Sequence, residues 1–278
     1  MITTKSLNYE NVKGYQFGYS LIGKPKLSTY IYFIDGLLID TGQSKVREVL
    51  LDKIDHLSVD QIFVTHHHED HTGNILPLKE RFQCPVYSSD KCAQLMNNPP
   101  SLSFAQKITW GDRETYGNLI PIENEIKTRN YTFEIIPIPG HASDMVALYE
   151  PNEKWLFSAD LYINSYIGYF LYSESVQQQI SSIEKILNYD FKVMFCNHNP
   201  QLENPKQKLR DKLNFLETSF HSVADLYLKG MDEKEIFKTL KFKENWIVKL
   251  LSAGALSKVN LIRSVIKDIN NSKKKVAR

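Results

Sequence analysis

The chain has 278 residues, with 34 basic and 32 acidic side chains for a net charge of +2, so charge gives no argument for a nucleic-acid or membrane partner. Apolar residues at 42% and charged residues at 24% are ordinary for a globular protein. No run of about 18 apolar residues is present to span a bilayer.

Three antiparallel strands open the predicted order, Tyr15–Ile22, Ser28–Ile34 and Leu37–Asp40, with turns at Gly23-Lys-Pro25 and Asp35-Gly36. Residues 44–55 place Val46, Val49, Leu50 and Ile54 on one helical face. Gln61–Thr65 is a short apolar, β-branched run that reads as a buried strand. Directly after it, half of the 8 histidines fall within residues 65–74, and His66, His68, Asp70 and His71 form an H-x-H-x-D-H pattern. Given 8 His and 32 acidic residues, a chance match is on the order of one in a million per start position. Imidazoles and a carboxylate crowded this closely gain little from packing, whereas a divalent cation coordinates them at about 2.0–2.2 Å. Ile75, Leu76, Leu78 and Phe82 then follow at helical spacing, which puts the pattern on a strand-to-helix loop. Alternation lets His66 and His68 reach one ion. Asp70 and His71 begin the next turn and face a second, about 3.5–4 Å away as in two-metal sites.

Three further candidates each end an apolar run. Phe133–Pro139 leads into Gly140-His141, Lys154–Phe157 into Ser158-Ala-Asp160, and Phe191–Phe195 into Cys196-Asn-His198. Their shared setting at strand ends points to a common metal site. Asp144, three residues after His141 at the start of the strand Met145–Tyr149, is read as orienting a histidine or touching substrate, or else as a loop cap. In the stretch Leu161–Tyr172 that leaves Asp160, five aromatic rings fall in the eleven positions from Tyr162 onward, against 12% overall. Tyr162 and Tyr166 are candidates for a pocket wall, with packing on C-terminal helices or on a second copy of the chain, a homodimer, as the alternative. After Pro205 residues 206–229 and 232–269 show helical periodicity without strand signals, interrupted near Gly230 and Gly254, and the tail Lys273–Arg278 reads as a frayed end. Residues 1–204 thus form a catalytic domain and 205–278 a helical extension packed on it.

The opening residues lack the apolar stretch of a secretory signal. Cys84, Cys92 and Cys196 are odd in number and lack C-x-x-C spacing. Reduced thiols in a cytoplasmic protein are the expectation, with Cys196 a buried structural thiol.

Over roughly residues 15–200 the chain resembles the metallo-β-lactamase-fold hydrolase superfamily. Asp40 in Leu37-Leu-Ile-Asp40-Thr-Gly42 matches its first motif, the 66–71 cluster the second, His141 the third, Asp160 the fourth and His198 the fifth. The resemblance implies an α/β (α+β) fold, a four-layer αββα sandwich with a C-terminal helical appendage. It also implies one metal on His66, His68 and His141, another on Asp70, His71 and His198, and Asp160 bridging both, with Asp40 supporting the ligands from behind. Around His198, Cys-Asn-His-Asn replaces the commoner Gly-His-Gly.

The activity so implied is that of a dinuclear hydrolase acting through a metal-bridging hydroxide on a small-molecule substrate, with Asp70 orienting the nucleophile and moving its proton. Zinc suits the N/O ligand set, and iron or manganese fits the same geometry. Zinc β-lactamases carry Cys where Asp160 stands, and flavodiiron proteins carry Glu where His68 stands. A ribonuclease Z-like enzyme would show a basic surface or an RNA-gripping arm. Glyoxalase II, lactonases and related ester or thioester hydrolases remain, although the C-terminal helices lack the expected basic glutathione-binding segment. A phosphodiesterase or nuclease of the same fold, or a metal-binding sensor module without turnover, are the alternatives.

Overall fold

A computed structural model describes residues 1–252 and 254–276. Seven strands form one sheet in sequential order: β1 (Ile2–Tyr9), β2 (Val12–Tyr19), β3 (Ser28–Ile34), β4 (Leu37–Ile39), β5 (Gln61–Val64), β6 (Val86–Ser88) and β7 (Ile120–Pro121). The pairs up to β3–β4 are antiparallel and those from β4–β5 onward parallel. The crossovers carry α1 (Arg47–Ile54), preceded by a 3-10 turn at Ser44–Val46, then α2 (Glu69–Thr72), α3 (Ile75–Phe82), α4 (Asp90–Asn97) and α5 (Phe104–Thr109). A second sheet contains β8 (Glu125–Lys127), β9 (Thr132–Pro137), β10 (Val146–Glu150), β11 (Trp155–Ala159) and β13 (Val193–Cys196), in the order β13-β11-β10-β9-β8. Between β11 and β13 lie β12 (Phe170–Leu171) and α6 (Val176–Leu187).

Strand alternation explains the layering, because successive side chains point to opposite faces. Tyr32 and Ile34 of β3 meet Phe133 of β9, Trp155 and Phe157 of β11 and Phe195 of β13 in an apolar layer between the sheets. Ile31 of β3 and Ile62 and Val64 of β5 turn outward onto Leu50, Ile54, Leu78 and Met96 of the first helical layer. Leu156 of β11 and Met194 and Cys196 of β13 turn to the opposite outer face, onto Ile180 and Ile183 of α6. Three apolar layers separate four structural ones, the αββα arrangement.

The C-terminal helices are α7 (Pro205–Leu228), α8 (Glu233–Thr239), α9 (Trp246–Leu251) and α10 (Val259–Val276). Leu209, Leu216 and Val223 of α7 and Leu261, Ile262 and Val265 of α10 share the outer cluster of the second sheet. Pro205 starts α7 at a position where its missing N–H costs nothing, and a capping box at Asp232 and Glu235 starts α8. Among the described residues no helix is long and apolar enough to cross a membrane.

Local differences from the sequence reading have physical causes. The strand expected at Tyr15–Ile22 runs Val12–Tyr19, and an unexpected β1 precedes it, joined through Glu10 in the left-handed region (φ 50°). β1 is an edge strand with mostly exposed side chains, so apolar alternation barely marks it. The 232–269 stretch, expected to lack strands, contains β14 (Leu256–Ser257), which pairs antiparallel with β12. A two-residue pairing of distant segments has no local signal. In the tail, α10 continues to Val276, and Ala277 and Arg278 of the expected frayed end lie outside the described residues.

Candidate metal centre

Every candidate ligand stands just beyond the C-terminal end of a strand. β5 ends at Val64 and delivers His66 and His68, with Asp70 and His71 in the short α2. β9 leads to His141 through Gly140, whose φ of 143° and contact with α6 exclude a side chain: a Cβ there would stand 2.6 Å from Gln179 N. β11 and β13 run parallel with Ala159 paired to Cys196, so Asp160 and His198 emerge side by side.

These side chains form two groups. The donor atoms of His66, His68 and His141 lie within 4.8 Å of one another, and so do those of Asp70, His71, Asp160 and His198. His68 Nδ1 faces His141 Nε2 at 3.0 Å. In the second group His198 Nε2 is 3.0 Å from Asp160 Oδ2 and 3.3 Å from Asp70 Oδ2, and His71 Nε2 is 3.4 Å from Asp160 Oδ1. Asp160 Oδ2 also lies 3.4 Å from His141 Nε2, so one carboxylate faces both groups.

The residues behind the rings decide which nitrogens point inward. His71 Nδ1–H donates to Asp40 Oδ2 at 2.8 Å, His141 Nδ1–H to Glu174 Oε1 at 2.7 Å, and His198 Nδ1–H to Ser28 O at 2.8 Å. Thr65 Oγ1 donates to Asp40 and accepts from His66 Nδ1–H at 3.1 Å. Each of these acceptors holds its ring in the tautomer whose Nε2 lone pair faces the centre. Asp40 is buried at φ 63° and also receives Thr65 N–H at 2.8 Å and Asn197 Nδ2 at 2.7 Å.

The set fits a divalent cation. His66 Nε2, His71 Nε2 and Asp160 Oδ1 are buried with no hydrogen-bond partner, and orphaned polar atoms cost about 1–3 kcal/mol each. His66 Nε2 belongs to the first group and His71 Nε2 and Asp160 Oδ1 to the second, so a cation in each group would satisfy them, and donors shared by one ion at about 2.0–2.2 Å naturally approach to the separations seen.

Without a metal the two groups differ in charge, and in the second group a proton on the imidazoles stands where a cation would bind. Burial and the neighbouring imidazoles His71 and His68 hold His66 well below the usual histidine range, and burial with His141 and His67 does so for His68. For His198, burial opposes the charge, but Asp160 and Asp70 outweigh it and raise the imidazole to about 10. His71 is likewise raised against burial by Asp160, Asp40 and Asp70. Burial would raise Asp70 too, yet His71 and His198 bring it down to about 2. The carboxylates therefore remain charged and available to a cation.

Asp144 grips the residue between His66 and His68. Its carboxylate accepts His67 N–H at 2.9 Å and His67 Nδ1–H at 2.8 Å, and Arg113 binds His67 O from another side. Tyr162 is buried with its hydroxyl 3.1 Å from Ser165 Oγ. Tyr166 is 62% exposed, and its ring stands edge-on to Phe215 of α7 at 5.0 Å with Lys258 Nζ 4.8 Å above it. Cys196 is a packed thiol that burial pushes up to about 12. The sequence reading missed Glu174, Thr65 and the Ser28 carbonyl. Glu174 is brought to His141 by the bond from Ser175 N to Gly140 O at 2.9 Å, and no sequence spacing announces it. Asn197 was visible in the departure from Gly-His-Gly, where it replaces a glycine and supplies the donor to Asp40.

Residues 25–198 match the sequence profile of the Metallo-beta-lactamase superfamily, and the chain belongs to that superfamily. A hydroxyacylglutathione hydrolase of Bdellovibrio bacteriovorus is 29% identical over 144 residues, 51% of this chain and 50% of that protein. Hydroxyacylglutathione hydrolase 1 of Vibrio vulnificus is 25% identical over 241 residues, 81% of this chain and 87% of that protein. The chain spans only about half the length of the first curated relatives it matches. Among solved structures, a metallo-beta-lactamase from Pontibacter korlensis shares the fold with a TM-score of 0.61 at 20% identity, covering 77% of this chain and 99% of that one.

Proposed function

We propose that the chain is a dinuclear metal-dependent hydrolase of a small thioester, ester or lactone, with zinc as its metal. The observation that carries this reading is Asp160, 3.4 Å from His141 Nε2 in one donor group and 3.0 Å from His198 Nε2 in the other. Two divalent ions held there supply Lewis acidity and a water far more acidic than in bulk. His66, His68 and His141 would hold one ion, Asp70, His71 and His198 the other, and Asp160 both.

The chain's own groups do the rest. Asp40, Glu174, Thr65 and the Ser28 carbonyl hold the rings of His71, His141, His66 and His198 with Nδ1 outward and Nε2 toward the centre. Asp144 holds the His66–His68 turn rigid through His67. Thr29 Oγ1 donates to Asp70 Oδ2 at 3.3 Å, steadying the carboxylate that orients the attacking water, accepts its proton at an oxygen and returns it to the leaving group. Relatives named hydroxyacylglutathione hydrolase support a thioester among the substrates.

The test pairs elemental analysis of protein reconstituted with zinc, iron or manganese with a panel of glutathione thioesters, p-nitrophenyl esters, lactones and phosphodiesters. About two ions per chain and turnover of an acyl substrate are expected. A fully loaded sample that never exceeds one ion sinks the dinuclear reading. Turnover confined to phosphodiesters sinks the acyl reading, and two ions without any turnover leave a binding module.

A further inference from the structure

Trp110 belongs to none of the three apolar clusters among the described residues. It follows α5 in the connection from α4 to β7, and its half-buried indole lies 6.0 Å from the His198 imidazole, centroid to centroid, at 41°. The segment is fastened along its length. Lys45 N donates to Trp110 O at 3.2 Å, Ser44 Oγ to Asp112 O at 2.5 Å, and Arg113 to both His67 O and Pro100 O. Gly111 permits the closeness: φ is 97°, and a Cβ would stand 2.1 Å from Ser44 Oγ. Arg113 thus ties the strap to the backbone between His66 and His68, and Trp110 is held in place beside a candidate ligand. On the same strap Phe104 and Ile108, one helical turn apart, are exposed at 79% and 37%.

A large ring held rigidly outside the core and against an inward-facing histidine has a recognition role open to it. We infer that Trp110 is the specificity-determining wall of the substrate site and selects a bulky apolar acyl group. This rests on the acyl-hydrolase reading above. On this inference the acyl substituent is the part of the substrate that passes His198, 6.0 Å from the Trp110 ring, and an indole offers an acyl chain or aryl ring broad apolar contact. An acetyl group is too short to cover the ring.

The experiment uses the zinc-loaded full chain and two substrate series. One varies the acyl group from acetyl through hexanoyl to phenylacetyl at a fixed thiol, and the other varies the thiol at a fixed acyl group. Wild type should favour phenylacetyl and hexanoyl over acetyl by kcat/KM. Trp110→Ala should cut that ratio at least about tenfold at unchanged zinc content, and Trp110→Phe should keep most of it. An unchanged ratio in Trp110→Ala, or a change confined to the thiol series, overturns the inference. Binding of phenylacetate against acetate, measured by calorimetry, provides a readout that needs no turnover. Loss of the phenylacetate preference in Trp110→Ala supports the wall even if no substrate is cleaved, an outcome that would sink only the hydrolase reading. Equal binding of both acids by wild type overturns the wall itself.

Discussion

Replacing Asp40 by Asn removes one charge and almost no volume, yet it should disable half of the metal centre. Asp40 Oδ1 accepts Thr65 N–H at 2.8 Å, while Oδ2 accepts Thr65 Oγ1 at 2.9 Å, His71 Nδ1–H at 2.8 Å and Asn197 Nδ2 at 2.7 Å. An amide nitrogen at Oδ1 would oppose a backbone N–H that cannot become an acceptor. The amide must therefore sit at Oδ2, where it opposes His71 and Asn197. Asn197 cannot turn without losing its bond to Tyr30 O at 2.8 Å. The cheapest relief is for His71 to give up the Nδ1 proton and accept instead, which moves the hydrogen to Nε2 and points it at the Asp70–Asp160–His198 group. Two magnitudes follow. Metal affinity at that group should fall about 10–100-fold, as for other lost partners of ligating histidines. The metal-free protein should lose about 1–3 kcal/mol for the opposed buried donor of Asn197. Competition against a chromophoric chelator measures the first, and denaturant unfolding of the stripped protein the second. Wild-type affinity for both ions in Asp40→Asn would refute the tautomer argument, and a stability loss without any change in affinity would reduce Asp40 to a packing role.

Glu174→Ala should weaken metal binding at the His66–His68–His141 group by about 10–100-fold, with Glu174→Gln, which can still accept from His141 Nδ1–H, losing much less. Equal affinities for all three proteins by chelator competition would remove Glu174 from the metal centre. In the stripped protein, unfolding free energy should be highest near pH 6.5. His66 and His68 are lowered in the fold, so below 6.5 the unfolded chain binds more protons and stability falls with acid; His198 and His71 are raised, so their contribution is full below 6.5 and fades as pH rises above it, for His198 towards about 10. Denaturant titrations from pH 5 to 9 that show no such maximum would contradict the folded-state charges described here.

What the chain determines locally is visible in its order of residues. His66, His68, Asp70 and His71 share one strand-to-helix turn, so their spacing alone sets which side chains can meet. His141, Asp160 and His198 each end a buried apolar strand, and strand ends on one sheet edge gather by topology. The helix at 75–82 follows from helical spacing of its apolar residues and the strand at 28–34 from a short β-branched and aromatic run, both signals that a neighbourhood of a few residues contains. The tertiary structure decided everything that depends on separate segments arriving at one point. Glu174 reaches His141 across 33 positions and Ser28 O reaches His198 across 170, and neither residue type is unusual where it stands. Tyr166 looked like a candidate for the site because it follows Asp160 closely, yet its ring rests on Phe215 of α7 and on Lys258, just before α10. Trp110 drew no notice because a lone tryptophan has no motif. Ligand spacing is a local property that covalent geometry carries, whereas the tautomer of each imidazole and the wall beside it depend on long-range partners that exist only once the two sheets have packed.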